Sequence, residues 1–248
     1  SNFNTRQNGY DISADVLGYP ESYYTPASEA LGEVQIIRGA ASLQYGTQFG
    51  GLVNFIIPSP ENEQPPVFRF RNTLGSNNLY TNFTNLSGKK GKLSYNTFYN
   101  FKKGSGFREN SGFQSNNFFI NLAYDLNQKS KISLELTYFN YLAQQAGGLN
   151  DKMFENDPFQ SNRSRNWFDV DWLLYNIHYE NRLSEKTNFS FSFFGLNASR
   201  KALGFRVNRV DQPDALGVRD LYVGDFNNFG FETRLLSEYT LFNKKSIF

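Results

Sequence analysis

From Val67 onward the chain repeats one pattern, a run of roughly 9–11 residues in which apolar and polar side chains alternate, followed by a break. In "NNFFINLAYDL" Phe118, Ile120, Leu122, Tyr124 and Leu126 share one face, with Asn117, Asn121 and Asp125 on the other. In "KISLELTYFNYL" Ile132, Leu134, Leu136, Tyr138 and Leu142 oppose Lys131, Ser133, Glu135 and Thr137. Leu93, Tyr95, Tyr99 and Phe101 repeat the pattern, as do Leu173, Tyr175, Ile177 and Tyr179, and then Phe229, Phe231, Leu235, Tyr239 and Leu241. A period of two places successive side chains on opposite faces of a strand. Runs of about this length are what a tilted strand needs to cross a bilayer.

Eight strands are expected, at about 67–74, 79–87, 92–103, 116–126, 131–143, 166–182, 188–201 and 226–242. The breaks after the even strands are "GKKGK", "NQKSK", "SEKTN" and "NKKS", all short and lysine-bearing. Long loops follow the third, fifth and seventh strands, at about 104–115, 144–165 and 202–225. Only the first odd connection, near Gly75 to Asn78, is short. An aromatic-rich soluble sandwich has no cause to sort its loops by parity, whereas an outer-membrane barrel has short turns at one rim and long loops at the other. Composition agrees: 26 Phe and 15 Tyr stand in a chain that is hydrophilic on average. Lipid-facing aromatics beside a polar lumen give that profile.

The same totals exclude several chemistries. With no cysteine, thiol catalysis, disulfide scaffolds and zinc–thiolate sites are out. One histidine, His178, lies in mid-strand on the polar face, where a hydrogen bond to the wall or the interior is the expected role rather than metal binding. A barrel enzyme needing a Ser–His or Asp–His pair at its mouth is disfavoured on the same ground. Net charge is +2 with signs interspersed, which gives no field for nucleic acid.

Residues 1–57 are different, with turns at Asn8-Gly9, Gly18-Tyr19-Pro20 and Thr25-Pro26. The proline-rich "PSPENEQPP", 58–66, reads as a linker, and 67–248 as barrel. The opening "SNFNTRQNGY" has neither a basic start nor an apolar run, and the end "LFNKKSIF" falls inside a turn and the next strand. An internal piece of a longer protein is therefore expected.

Just before the linker stands "ALGEVQIIRGAASLQYGTQFGGLVNFIIPSP", strand, glycine-punctuated turn, strand. It resembles the end of the plug domain of TonB-dependent outer-membrane receptors, on Glu33, Ile37, Arg38, Gly39, Ser42, Tyr45, Gly46, Gly50, Gly51, Val53 and Asn54. Ala40 stands where that pattern has proline. The resemblance covers essentially the whole chain. It implies a transmembrane antiparallel β-barrel, here part of an expected ~22 strands, with part of an N-terminal α+β plug inside the lumen. It also implies a bacterial outer-membrane location in lipid, an energy-coupling TonB-type protein on the periplasmic side, whose contact segment is expected before Ser1, and no enzymatic activity or cofactor.

Within that family "AGGLNDKMFENDPFQSNRSRNWF", "FFGLNASRKALGF" and "GVRDLYVGDFNNFG" resemble the ferric-citrate type. The resemblance implies a ferric chelate as cargo, citrate-like or another siderophore, with iron carried as part of the substrate. Its carboxylate-binding arginines fall on Arg200 and Arg219, and its plug contacts on Tyr19 and Arg38. Tyr19 departs from that group's amide side chain and weakens the citrate assignment. Each position has a plainer alternative. Arg200 is also a strand end beside Lys201, Arg219 a partner for Asp220, and Arg38 a clamp to wall carboxylates. Arg163 and Arg165 are either positive charge at the mouth or a lock within their loop, and Tyr23 and Tyr24 either plug apex or packing. The competing function on the same fold is import of glycans or peptides under a surface lipoprotein lid, which favours aromatic and carboxylate-lined loops over converging arginines.

Overall fold

The structure, a computed structural model, describes residues 3–13, 23–38, 51–205, 209–242 and 244–247. Two sheets account for nearly all of it. The smaller has four strands, β1 (Phe3–Gln7), β2 (Tyr10–Asp11), β3 (Glu33–Ile37) and β4 (Gly51–Ile56), in the order β2-β1-β4-β3. Its central pair β1–β4 is parallel and the flanking pairs are antiparallel. A 3₁₀ turn, Ser28–Ala30, leads into β3.

The larger sheet is an up-and-down meander in which every strand pairs with its sequence neighbours. It runs β5 (Gln64–Gly75), β6 (Leu79–Lys90), β7 (Leu93–Gly104), β8 (Phe113–Asp125), β9 (Ser130–Gln144), β10 (Trp167–Arg182), β11 (Thr187–Leu203), β12 (Leu221–Leu241) and β13 (Lys244–Ile247). All eight expected strands are present, and β13 is a ninth. One short helix, α1 (Asp151–Asn156), sits in the loop between β9 and β10, with the Asn150 side chain accepting from the Met153 N–H at its N-cap.

Several boundaries differ from expectation: β6 runs on to Lys90 and β8 begins at Phe113. β5 begins at Gln64, inside the proline-rich segment, with a register shift between Gln64 and Val67. Pro65 and Pro66 are tolerated because β5 is an edge strand and the bulge removes the need for their missing N–H groups. β12 starts at Leu221 rather than near 226, because pairing with β11 continues to Leu221↔Leu203.

The outward face carries the apolar alternation: Phe68, Phe70, Leu93, Phe118, Leu122, Leu134, Leu173, Ile177, Phe193, Phe229 and Phe231 are all exposed there. At 16 to 21 residues, β10, β11 and β12 exceed the ~10 that span a bilayer. On the long-loop side their outward residues turn polar: Asp169, Asp171, Asn197, Ser199, Lys201, Asp225 and Asn227. The strands thus carry their loops beyond the apolar band. No helix of the described residues is long and apolar enough to cross a membrane.

The inward face is not uniformly polar. Phe83, Phe98 and Phe119 are buried on it against Ala27 and Ile57 of the small sheet's segment, with Phe98 and Phe119 stacked at 5.0 Å between centroids. Val170, Trp172, Leu174, Leu196 and Ala198 likewise cover Tyr10, Ile12 and Tyr24. These two patches are the core of the chain, and both lie between small sheet and wall. An asparagine-rich wall alone would offer the inner domain little apolar area, and burial of such area is the main source of its attachment.

Candidate functional site

Between the apolar patches the small sheet is hydrogen-bonded to the wall through its first hairpin. Gln7 is fully buried and donates from Nε2 to Glu135 Oε1 at 2.6 Å and to Thr137 Oγ1 at 3.1 Å. Asn8 Nδ2 donates to Glu135 Oε2 at 2.6 Å, and Asn121 Nδ2 to the same oxygen at 3.2 Å. Tyr24 donates its hydroxyl to Gln7 Oε1 at 2.8 Å; burial pushes that phenol far above its ordinary range, so it stays a donor. Arg6, also buried, donates to Asn4 Oδ1, to the Gly9 carbonyl at 2.6 Å and to Glu232 Oε1 of β12 at 2.6 Å. Arg234 holds the other oxygen of Glu232 at 2.7 Å.

Among the described residues a clamp from the small sheet to a wall carboxylate is made by Arg6. Arg38 is exposed just beyond β3 and forms no ion pair with a described carboxylate. Glu33, which begins β3, is exposed, while Asn54 of β4 is buried and joins Gly9 N to Gln35 Oε1. Gly51 opens β4 at φ +108°, where a β-carbon would strike the Ile37 carbonyl oxygen, so only glycine fits. Tyr19, Gly39, Tyr45, Gly46 and Gly50 lie outside the described residues.

Arg200 points inward from β11, opposite Val170 and Gly224. Its guanidinium lies over the Tyr23 ring, 5.3 Å from the centroid, and donates to the Tyr23 hydroxyl. Tyr23 is surrounded by Phe168, Trp172 and Phe226, at 5.4, 5.9 and 6.5 Å between centroids. Arg200 Nε and Trp172 Nε1 are buried here with no hydrogen-bond partner. A cation with a spare donor thus stands in an aromatic setting where the small sheet's segment meets the wall, on the long-loop side.

Above it the loops are joined by arginines. Arg163, 5% exposed, donates to the carbonyls of Asn162, Gln212 and Val210 and lies 5.1 Å from the Phe205 ring centre. Arg219 covers the same ring at 4.6 Å and pairs with Asp214 rather than with Asp220. Arg165 approaches Asp214 at 3.5 Å and donates to the Gly217 carbonyl at 3.1 Å. Arg108, from the loop after β7, caps the Gln160 carbonyl twice and that of Gly147 at 2.8 Å. The three long loops are in contact through these groups. His178 bonds Ser192 Oγ at 2.7 Å through Nδ1 and lies 4.0 Å from Glu180; no metal-type cluster occurs among the described residues.

Sequence reasoning missed Arg6, Gln7, Glu232 and Asp214. A lone glutamate in mid-strand on the polar face was the available sign for Glu135; nothing local marks Arg6 or Asp214.

No family model matches the sequence, and no curated protein does. Solved structures do match in fold. The ferric citrate transporter FecA in its unliganded form superposes with a TM-score of 0.79 at 20% identity, over 97% of this chain and 36% of that one. BauA, the ferric preacinetobactin receptor from Acinetobacter baumannii, gives 0.79 at 12% identity, over 98% and 37%. The copper transporter OprC gives 0.73 at 13%, over 100% and 37%. The fold is that of the plug and first barrel strands of a TonB-dependent receptor. In that fold the small sheet corresponds to the plug and the meander to the barrel wall, and the chain spans little more than a third of each neighbour's length.

Proposed function

We propose that the complete receptor containing this chain imports an anionic ferric chelate, citrate-like or another siderophore, across the bacterial outer membrane, driven by a TonB-type energy-coupling protein. The observation that carries this reading is Arg200, held at the junction of plug and wall beneath three further loop arginines, with a donor left unpaired. Neighbours with this fold include a ferric citrate transporter and a ferric preacinetobactin receptor. Guanidinium groups match planar carboxylates in a fork geometry, and several around one cavity concentrate anions there.

In this reading the barrel and plug do no covalent chemistry. The wall supplies a charged passage, the loops and Arg200 hold the chelate, and the plug blocks the route until it is displaced. Arg6, Gln7 and Asn8 fix the plug's first hairpin, so the polar contacts to Glu135 and Glu232 are those that any displacement of that hairpin must break.

Calorimetric titration of ferric citrate into the complete receptor in detergent tests the proposal. Binding that falls at least about tenfold in Arg200→Ala supports it, a loss of one charge-assisted contact. Absence of binding by the intact receptor refutes the citrate-like assignment and moves the search to other chelates and to glycans.

A further inference from the structure

The loop arginines are poorly matched to the one carboxylate they surround. Arg165 and Arg219 both reach Asp214, two guanidinium groups to one carboxylate, while Arg163 shares the Phe205 ring with Arg219. Asp214 is 7% exposed in its side chain. A single oxygen, Oδ1, takes Arg219, the Leu216 N–H at 2.9 Å and the nearby Arg165, while Oδ2 is buried with no partner. Arg165 Nε and Arg219 Nε are buried without partners as well. A carboxylate that met an arginine fork squarely would use both oxygens against Nε and a terminal nitrogen. Asp214 does not, because its Oδ1 is also held by the Leu216 N–H two residues on. That turn carries Leu216 at φ +55°, a left-handed conformation unusual for a bulky residue, on a side chain 62% exposed and so held by little packing.

We infer that Asp214 is an internal counter-anion which occupies the loop arginines in the absence of cargo, and that a carboxylate of an anionic chelate takes its place. The inference rests on the chelate-import reading above and names the group that the cargo displaces. An untethered carboxylate can satisfy the idle Nε donors of Arg165 and Arg219, and a polyanion offsets more of the excess positive charge than Asp214 does. Displaced, Asp214 turns its stranded Oδ2 to water, and Leu216 is freed from the left-handed region. Arg163 stays bonded to loop carbonyls throughout and keeps the loops from β9 and β11 together. Two negatively charged groups competing for one cationic cluster couple cargo binding to the turn at 214–217.

The test uses the complete receptor in detergent, titrated with ferric citrate, with iron-free citrate and with ferrichrome, a neutral trihydroxamate chelate. Removing the competitor in Asp214→Asn is expected to tighten both citrate forms by about tenfold, within the usual range of coupling between sites, and to leave ferrichrome unchanged. Leu216→Gly relieves the left-handed residue in the Asp214-bound state, and is expected to weaken both citrate forms by about threefold. Opposite signs in the two variants establish the exchange. Citrate binding that is unchanged or weaker in Asp214→Asn, while the wild type binds and Arg200→Ala does not, overturns the exchange and leaves the chelate reading standing. Should Asp214→Asn fail to fold, tighter or unchanged citrate binding in Leu216→Gly overturns it equally. Citrate binding by none of the receptors overturns both.

Discussion

Replacing Gln7 by leucine is the sharpest probe of how the plug is held. The side chain is fully buried and nearly matched in volume, so no large cavity forms. Four hydrogen bonds are lost, and two dominate: the 2.6 Å donation to Glu135 and the 2.8 Å bond accepted from Tyr24, the 3.1 Å donations to Thr137 and to the Tyr10 hydroxyl being weaker. The first, to a carboxylate, is worth about 1.5–3 kcal/mol, and the second leaves a buried hydroxyl without an acceptor, at about 1–3 kcal/mol. Against this, burying an isobutyl group instead of an amide recovers about 1–2 kcal/mol. Glu135 keeps Asn8 and Asn121, so the carboxylate is not abandoned. The net is a loss of about 2–4 kcal/mol in attachment of the plug's first hairpin, equivalent to roughly 30- to 700-fold in an opening equilibrium. Amide hydrogen exchange on the complete receptor measures this directly, since Gln7 lies in β1 and its strand amides pair with β4. Exchange of β1 and β4 should accelerate by that factor while the outer strands β6–β8 are unaffected. Acceleration below about threefold would refute the claim that the Tyr24–Gln7–Glu135 chain anchors the plug.

Gly51→Ala places a β-carbon against the Ile37 carbonyl at a positive φ and should cost about 1–3 kcal/mol, seen as a lower denaturant midpoint for the plug sheet with the barrel unchanged. Glu29 at the 3₁₀ turn has its carboxyl lowered: desolvation pushes it up, but its own backbone N–H, Lys102 at 3.7 Å and Ser28 outweigh this. A depressed folded-state value means this contact stabilises above the ordinary value of 4.5 and is lost as pH falls below it. Exchange of the Ser28–Leu31 amides should therefore quicken more steeply between about pH 6 and pH 3 in the wild type than in Lys102→Met. Arg6→Met should accelerate exchange of the Asn8–Gly9 turn, because Arg6 supplies the Gly9 carbonyl's 2.6 Å donor; no change there would show that Glu232 and Arg6 do not tie the hairpin down.

The wall was almost fully legible in the sequence because a period of two has only one structural meaning when it recurs in runs that match a bilayer. Phe118 and Ile120 declare an outward face wherever they are. What the pattern could not declare is Phe119, which shares a face with Asn117 and Asn121 and looks like an irregularity until the plug is placed against it. Trp172 and Val170 were opaque for the same reason: apolar residues on both faces of β10 blur the alternation where the inner face is covered. Site residues were legible only where a resemblance carried them. Arg200 projects inward as a strand position must, yet its partner Tyr23 lies 177 residues away in sequence. The pairing of Arg219 with Asp214 instead of adjacent Asp220 depends on a loop turn with no short-range signal beyond Asp214 and Gly217. Arg6 and Glu232, 226 residues apart, needed the fold itself.

Uptake of radiolabelled ferric citrate is the most direct test of the central claim, in cells that have no other citrate receptor and express the complete protein. Saturable uptake is predicted, abolished when the energy-coupling protein is deleted and reduced at least about tenfold in the Arg200→Ala, Arg219→Ala double variant. Uptake that is absent, or that persists without energy coupling and is indifferent to both arginines, would contradict the account.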